Sequence, residues 1–282
     1  MQKPTQLLAD RIRIGKPLLM GVLNVTPDSF SDGGSFCEIG AAIRQGLKMA
    51  EAGAEIIDVG GESTRPGSDR VIACEQIRRT ESVIESLRKE LPPSVYISID
   101  TTLSEVAESA IYAGADLIND ISGGSDDPDL FRIAATHAIP IVINHMQGQP
   151  KSMQNEPTYQ DVVAEVTSFL VNQAQKAVQA GVVNANIILD PGIGFGKTKD
   201  HNLRLLAHLS DITHLGYPVL LGTSRKRFMG SICGTLQSTE LVGATVSTTV
   251  LGIQAGVRIF RVHDITENRQ AIDVVTAISE RF

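Results

Sequence analysis

Polar and ionisable residues stand at, or one step past, the ends of short apolar runs along this chain. In order they are Asn24, Asp58, Asp100, Asn119, His145, Asp190, the pair Arg225 and Lys226, and His263. A strand that is apolar along its length and polar at its tip can devote that tip to chemistry, provided the tips converge on one face. Asp100, Asn119 and Asp190 supply two carboxylates and a carboxamide. Such a set could hydrogen-bond a flat heterocycle rich in N–H groups, coordinate a divalent metal, or serve the fold alone.

A second group of residues suits an anion. The segment GGESTRPGSD (60–69) pairs two glycines with Ser63, Thr64 and Arg65, a combination of hydroxyls and a forked cation fitted to phosphate or carboxylate. GTSRKRF (222–228) places three cations in succession, and RVHD (261–264) sets Arg261 and His263 two residues apart, on one side of a strand. Together with Arg65 they make a candidate site for a multiply charged anion such as pyrophosphate. A lone histidine is more often structural, but His263 beside Arg261 reads as an anion ligand. NVTPDSFSDGG (24–34) reads as a mobile loop, and Phe30 within it gives a lid something apolar to lay over a substrate.

DPGIGFGKT (190–198) invites a nucleotide-loop reading that fails in register, because Pro191 stands where that motif requires glycine. Its glycines are instead expected to shape a loop beside a ligand. His137, His201, His208 and His214 fall on helical patterns or loop edges and are expected to do no chemistry. His145 is expected to support other residues from behind or to make a structural hydrogen bond.

The elements that would position these residues alternate without a break. Strand-like runs rich in Val, Ile and Leu occupy 17–24, 55–59, 95–100, 116–119, 140–145, 186–190, 218–222 and 258–262. Helical patterns fill 38–53, 71–91, 103–114, 127–138, 159–181, 201–215, 239–255 and 266–281, several of them ending in Ala-Gly just before the next strand. A short hairpin is expected near 6–15. Strict alternation demands a parallel sheet. An open doubly wound sheet would concentrate its site at one switch point, whereas here polar tips run through every unit. The expectation is an α/β fold, a single (β/α)8 barrel over 1–282 with a short N-terminal hairpin or extension.

Length and composition agree. The chain has 282 residues, 42% hydrophobic and 20% charged, enough for one barrel with a large core. The net charge of −7 without a basic stripe argues against a nucleic-acid partner. Three scattered cysteines, Cys37, Cys74 and Cys233, suit a reducing compartment. No signal peptide is expected, and the uncharged run 241–257 contains too many hydroxyls for a membrane span and reads as a buried helix. A cytoplasmic protein is expected.

The chain resembles the dihydropteroate synthases, folate-pathway enzymes that are the target of sulfonamides. The matching stretches are MGVLNVTPDSFSDGG (20–34), IIDVGGESTRPG (56–67), ISID (97–100), LIND (117–120), HMQG (145–148), ILDPGIGFGK (188–197), GTSRKRF (222–228) and RVHD (261–264), in order along nearly the whole chain. The resemblance implies a TIM barrel that joins 6-hydroxymethyl-7,8-dihydropterin diphosphate to 4-aminobenzoate, releasing diphosphate. It implies that Asp100, Asn119, Asp190 and Lys226 hold the pterin with Asp58 and Met146 nearby. Asn24 would bind Mg²⁺ shared with the diphosphate, and Thr64, Arg65, Arg261 and His263 would hold the diphosphate itself. Phe30, Thr64, Arg65, Pro66, Phe195, Lys226 and Arg227 would frame the aminobenzoate. Asp100, Asp190, Lys226, Arg261 and His263 would take part in catalysis. Some members carry Ser where Arg227 stands here; arginine could serve the aminobenzoate carboxylate through its N–H or side chain, or point to solvent. A homodimer is implied by analogy, through the uncharged helix near 241–255. A pterin-binding methyltransferase on the same barrel would share the Asp and Asn positions but has no need of a diphosphate clamp. A non-catalytic relative should have lost part of the set, and an aldolase-type barrel would want a Schiff-base lysine on a central strand.

Overall fold

Alternate residues of each apolar run face opposite sides, and the two sides pack into two separate layers. The computed structural model describes residues 4–14, 16–26, 35–63, 67–235 and 237–281. Its strands are β1 (Leu18–Asn24), β2 (Ile56–Gly60), β3 (Tyr96–Asp100), β4 (Leu117–Asp120), β5 (Ile141–Asn144), β6 (Ile187–Asp190), β7 (Leu220–Leu221) and β8 (Ile259–Val262). All pair in parallel, in the order β6-β5-β4-β3-β2-β1-β8-β7. A parallel bridge between Leu189 and Val219 brings β6 back to the β7 side, with the Leu189 N–H donating to the Pro218 carbonyl at 2.9 Å. The sheet thus returns on itself as the expected barrel.

One phase of the alternation fills the barrel. Leu18, Met20, Ile56, Leu117, Val142, Ile188, Leu220 and Ile259 form a buried layer inside it. The other phase, including Leu19, Ile57, Ile97, Ile118, Ile141, Ile187, Leu221 and Phe260, packs outward against the helices. These are α2 (Ser35–Glu51), α3 (Ala73–Glu90), α4 (Ser104–Ala113), α5 (Asp129–His137), α6 (Val162–Gln179), α7 (Lys199–Ala207), α8 (Leu209–Thr213), α9 (Arg227–Cys233), α10 (Val242–Gln254) and α11 (Ile265–Ser279). The Ala-Gly stops hold: Gly53, Gly114, Gly181 and Gly256 all have positive φ, the left-handed geometry that ends a helix cheaply only with glycine.

The segment near 6–15 is not a hairpin but helix α1 (Pro4–Arg13). Leu8 and Ile12 recur at helical rather than strand spacing, and Pro4 suits a first turn whose N–H needs no partner. Both apolar side chains are fully buried against the inner layer, so α1 plugs the end of the barrel opposite the strand tips. Element ends elsewhere shift by a few residues from the sequence pattern, and the larger differences have local causes. β7 shrinks to two residues because Pro218 has no N–H for the ladder. The helix expected at 201–215 starts at Lys199 and breaks at His208 into α7 and α8. His201 has a structural role: its N–H donates to Thr198 Oγ1 and its Nδ1 accepts the Thr198 N–H, both at 3.2 Å, closing a reciprocal cap. The helix α9, directly after Lys226, was not expected at all.

Candidate active site

Counting two residues at a time along each strand, the inner phase that is apolar at the plugged end turns polar at the other. Ile56 leads to Asp58 and Gly60, Tyr96 to Ser98 and Asp100, Leu117 to Asn119, Val142 to Asn144, Ile188 to Asp190, and Ile259 to Arg261. The register sets Gly60 beside Asp100, Asp100 beside Asn119, and Asn144 beside Asp190. Asn24 shares the level of Gly60 on the other flank. A Cβ on Gly60 would lie 3.4 Å from Asp100 Cβ and 3.6 Å from Asn24 Oδ1, so the glycine leaves the mouth open between them.

At the centre of this ring stands Arg261. Its Nε donates to Asp58 Oδ2 and its Nη2 to Asp100 Oδ2, both at 2.6 Å. Asn119 Nδ2 also donates to Asp58 Oδ2, at 3.0 Å. Asp58 and Asp100 are almost fully buried, yet Oδ1 of each, with Ser98 Oγ, has no hydrogen-bond partner among the described residues. Buried acceptors left open in this way are costly unless a ligand or water fills them. They call for a ligand with N–H donors.

Burial sets the charges. It raises Asp100 to about 7 against the opposing pull of Arg261, with Asp58 adding to the rise. Asp190 rises to about 6 for the same reason, while Gly192 N–H, which donates to its Oδ1 at 2.7 Å, and Lys226 oppose the shift. Lys226 falls to about 8 through burial and the nearby Arg261. Arg261 resists burial because Asp58 and Asp100 hold its pKa above the ordinary value. Asp100 and Asp190 thus share one neighbourhood with Arg261 and Lys226, each acting on the others' charge.

The outer part of the site is built on two loops. Lys226 Nζ lies 4.2 Å from the centre of the Phe195 ring, a cation over an aromatic face. Lys226 is delivered by a strained turn: Arg225 has φ +58°, a left-handed backbone held by a two-point ion pair to Asp264 (Nε to Oδ2 at 3.1 Å) and by its own N–H to Thr245 Oγ1 at 3.2 Å. Thr223 is tied to Thr248 at 2.7 Å, so hydroxyls of the uncharged helix α10 anchor the lysine-bearing loop. Arg227 opens α9 with an exposed side chain. Met146 is half-buried two residues past β5.

His263, expected as an anion ligand, sits beside Arg261 at the end of β8. Burial, then Arg261, lower its pKa to about 4, so the ring is neutral. Ser224 Oγ accepts the His263 backbone N–H at 3.1 Å and lies 3.0 Å from Nδ1. The hydroxyl can either donate to Nδ1 or accept from it, and in both cases it fixes the orientation of the ring. An anion would meet a dipole there, not a cation.

His145 stays apart from the other tips. It falls one residue past the inner phase, and a one-residue step turns a strand side chain to the opposite face. It packs edge-on against Phe169 with ring centres 4.9 Å apart. The residue that does occupy the inner phase is Asn144, which sequence reasoning missed. Its Nδ2 donates to the Ile121 carbonyl at 2.6 Å and its buried Oδ1 has no partner among the described residues. The signal was present in the alternation of Val142 and Asn144. Phe30, Thr64, Arg65 and Pro66 lie outside the described residues.

Residues 20–263 match the family model described as "Pterin binding enzyme". The chain is 45% identical over 260 residues to a dihydropteroate synthase of Synechocystis sp., covering 92% of this chain and 89% of that one. A structure of Xanthomonas albilineans dihydropteroate synthase with 4-aminobenzoic acid superposes with a TM-score of 0.88 at 41% identity, covering 94% and 93% of the two chains. The same organism's enzyme in complex with 7,8-dihydropteroate superposes at 0.84 with 38% identity over 94% of each chain. This chain belongs to the pterin-binding enzymes and, within them, to the dihydropteroate synthase family.

Proposed function

We propose that this chain condenses 6-hydroxymethyl-7,8-dihydropterin diphosphate with 4-aminobenzoate to give 7,8-dihydropteroate and diphosphate. The observation that carries the reading is the pair of buried acceptors, Asp58 Oδ1 and Asp100 Oδ1, without a partner among the described residues and held in place by Arg261. They meet the N–H edge of a pterin, with Asn119, Asp190 and Asn144 completing the slot and Met146 and Lys226 at its border.

The C–O bond to the diphosphate breaks with its electron pair on the leaving oxygen, and the dihydropterin delocalises the cation left on its methylene carbon. Carboxylates of Asp58, Asp100 and Asp190, fixed beforehand and shielded from water, stabilise that charge as it grows. The amine of 4-aminobenzoate then forms the C–N bond, and the proton it gives up leaves with the diphosphate. The His263 ring and the Arg261 guanidinium face the departing diphosphate, joined by Arg65 and Thr64. Phe195 and Lys226, with Phe30 and Pro66, border the aminobenzoate, and Arg227 serves its carboxylate from the first turn of α9. Excluding water matters because water would trap the cation.

Magnesium fits this site in one way. Among the described residues no group of three His, Cys, Asp or Glu side chains is arranged to hold a metal. Mg²⁺ commonly keeps its waters and takes substrate phosphates with one or two protein oxygens, so Asn24 Oδ1 would hold an ion shared with the diphosphate. Bound there, the ion would neutralise the leaving group.

A cytoplasmic setting belongs to the same reading: Cys74 and Cys233 are free and exposed, and no helix among the described residues is long and apolar enough to cross a membrane. So does a homodimer through α10, which has no charged residue and exposes Leu251; light scattering tests it. The function is tested by diphosphate release from the pterin diphosphate, 4-aminobenzoate and Mg²⁺ together. Release requiring all three supports the reading, and none above background overturns it.

A further inference from the structure

Lys197 is 2% exposed and takes no part in the slot, yet its Nζ sits among acceptors contributed by two loops. The carbonyls of Gly192 (2.9 Å), Phe195 (3.0 Å) and His145 (3.2 Å) converge on it, and His145 Nδ1 lies at 2.8 Å. An ammonium has three N–H donors for these four acceptors; a neutral amine has two and would need a donor in return. We propose that Lys197 is a positioning residue, a buried ammonium that cross-links the loop after β6 to the residue following β5, takes the neutral His145 ring as an acceptor, and so holds Phe195 beneath Lys226.

The surroundings fit a clamp. Gly192 and Gly196 have φ of +66° and +61°, and a Cβ on them would come within 1.8 Å of the His145 carbonyl oxygen and 2.2 Å of the Gln147 carbonyl oxygen. The loop is therefore pressed against the chain beyond β5 too closely for any side chain. Three more of its polar groups are taken: Gly194 N–H by Asn202 Oδ1 (2.7 Å), Gly194 O by Gln154 Nε2 (2.6 Å), and Gly196 O by the Tyr159 hydroxyl (2.8 Å). Inside this wrapping, carbonyl dipoles replace the water an ammonium loses on burial. Burial, with Lys226 nearby, lowers the Lys197 pKa well below its ordinary 10.5 while Asp190 opposes the fall; it is the four converging acceptors that call for the ammonium. Burial and the cation beside it push His145 down to about 3, which leaves its ring free to accept.

The clamp stands on this geometry; its kinetic consequence rests on the reading of Phe195 as a wall of the aminobenzoate site. Nitrogen-15 NMR of the unmodified protein tests the clamp. From about pH 5 to 8, a range in which an ordinary histidine titrates, His145 should keep a bare Nδ1 and a protonated Nε2, and Lys197 should show a slowly exchanging ammonium. A protonated Nδ1 or a titrating ring overturns the clamp whether or not the protein turns over.

Kinetics test the positioning role. Lys197→Met should raise the KM for 4-aminobenzoate about tenfold and leave the KM for the pterin diphosphate within about threefold. In a double-mutant cycle with Phe195→Ala the two effects should be non-additive, because both act through one ring. Additive effects, or an equal rise in both KM values, overturn the role. If Lys197→Met does not fold, His145→Leu, which keeps the ammonium and its carbonyls but removes the ring, is put through the same cycle with the same criteria.

Discussion

Arg261 reaches from the last strand across the barrel mouth to Asp58, closing a 2.6 Å contact between residues 203 positions apart. The guanidinium is only partly exposed and holds Asp100 as well, so it neutralises carboxylates that are otherwise costly to bury. Arg261→Ala should leave both without their cation. The expected loss is about 3–5 kcal/mol of stability, with kcat/KM lower by at least about 100-fold. Denaturant titration and steady-state assays check this. A variant of unchanged stability would mean that the carboxylates find another cation.

The raised carboxylates and the lowered lysine set a pH window. Asp190 near 6 and Asp100 near 7 must ionise to stabilise the cation, whereas Lys226 near 8 must stay protonated. The profile of kcat/KM should rise through pH 6–7 and fall around 8. Asp190→Asn should lose most activity, and its residual profile should lack the lower part of the acid limb. A flat profile across this range contradicts the assignment.

Stability should move the opposite way at Asp100. Its folded pKa lies above the ordinary 3.8, so folding binds the protonated form better; the stability this gives is complete below 3.8 and is lost as pH rises to about 7. Asp100→Asn removes that loss. Its Tm advantage over the parent should open from about pH 4, reach its full size near 7 and stay constant above, while turnover collapses. Calorimetry across pH checks the sign, and a variant less stable at pH 8 than the parent refutes it.

Gly192→Ala tests the loop after β6. The position combines φ +66° with a Cβ that would strike the His145 carbonyl oxygen. The loop must move, taking the N–H that holds Asp190 and the ring of Phe195 with it. Activity should fall about 100-fold with most of the fold retained, as read by circular dichroism and turnover.

Helix α1 should matter to stability and not to chemistry. Leu8 is fully buried against the inner layer at the plugged end, away from the strand tips. Leu8→Ala should cost about 2–5 kcal/mol while KM values at neutral pH stay as they were. A changed KM would place α1 in contact with the site.

The sequence alone determined the alternation of strand and helix, and with it the parallel barrel. A period of two with a polar end is a local property, legible at Asp58, Asp100, Asn119 and Asp190 without knowing what they touch. The same rule, applied one residue at a time, would have found Asn144 and excluded His145, because a single step along a strand changes the face. Resemblance in order along the chain carried the chemistry further than composition could. Tertiary structure decided what depends on partners distant in sequence. No local pattern tells that α1 plugs the barrel, that Arg261 lies between two carboxylates from other strands, or that Ser224 lies against the ring of His263. Charge was decided there too: Asp100 is held near 7 and His263 near 4 by burial and neighbours, which exist only once the strands have closed into a ring. Lys197 shows the division most clearly, since its sequence context resembles a nucleotide loop and its fold makes it an internal cation.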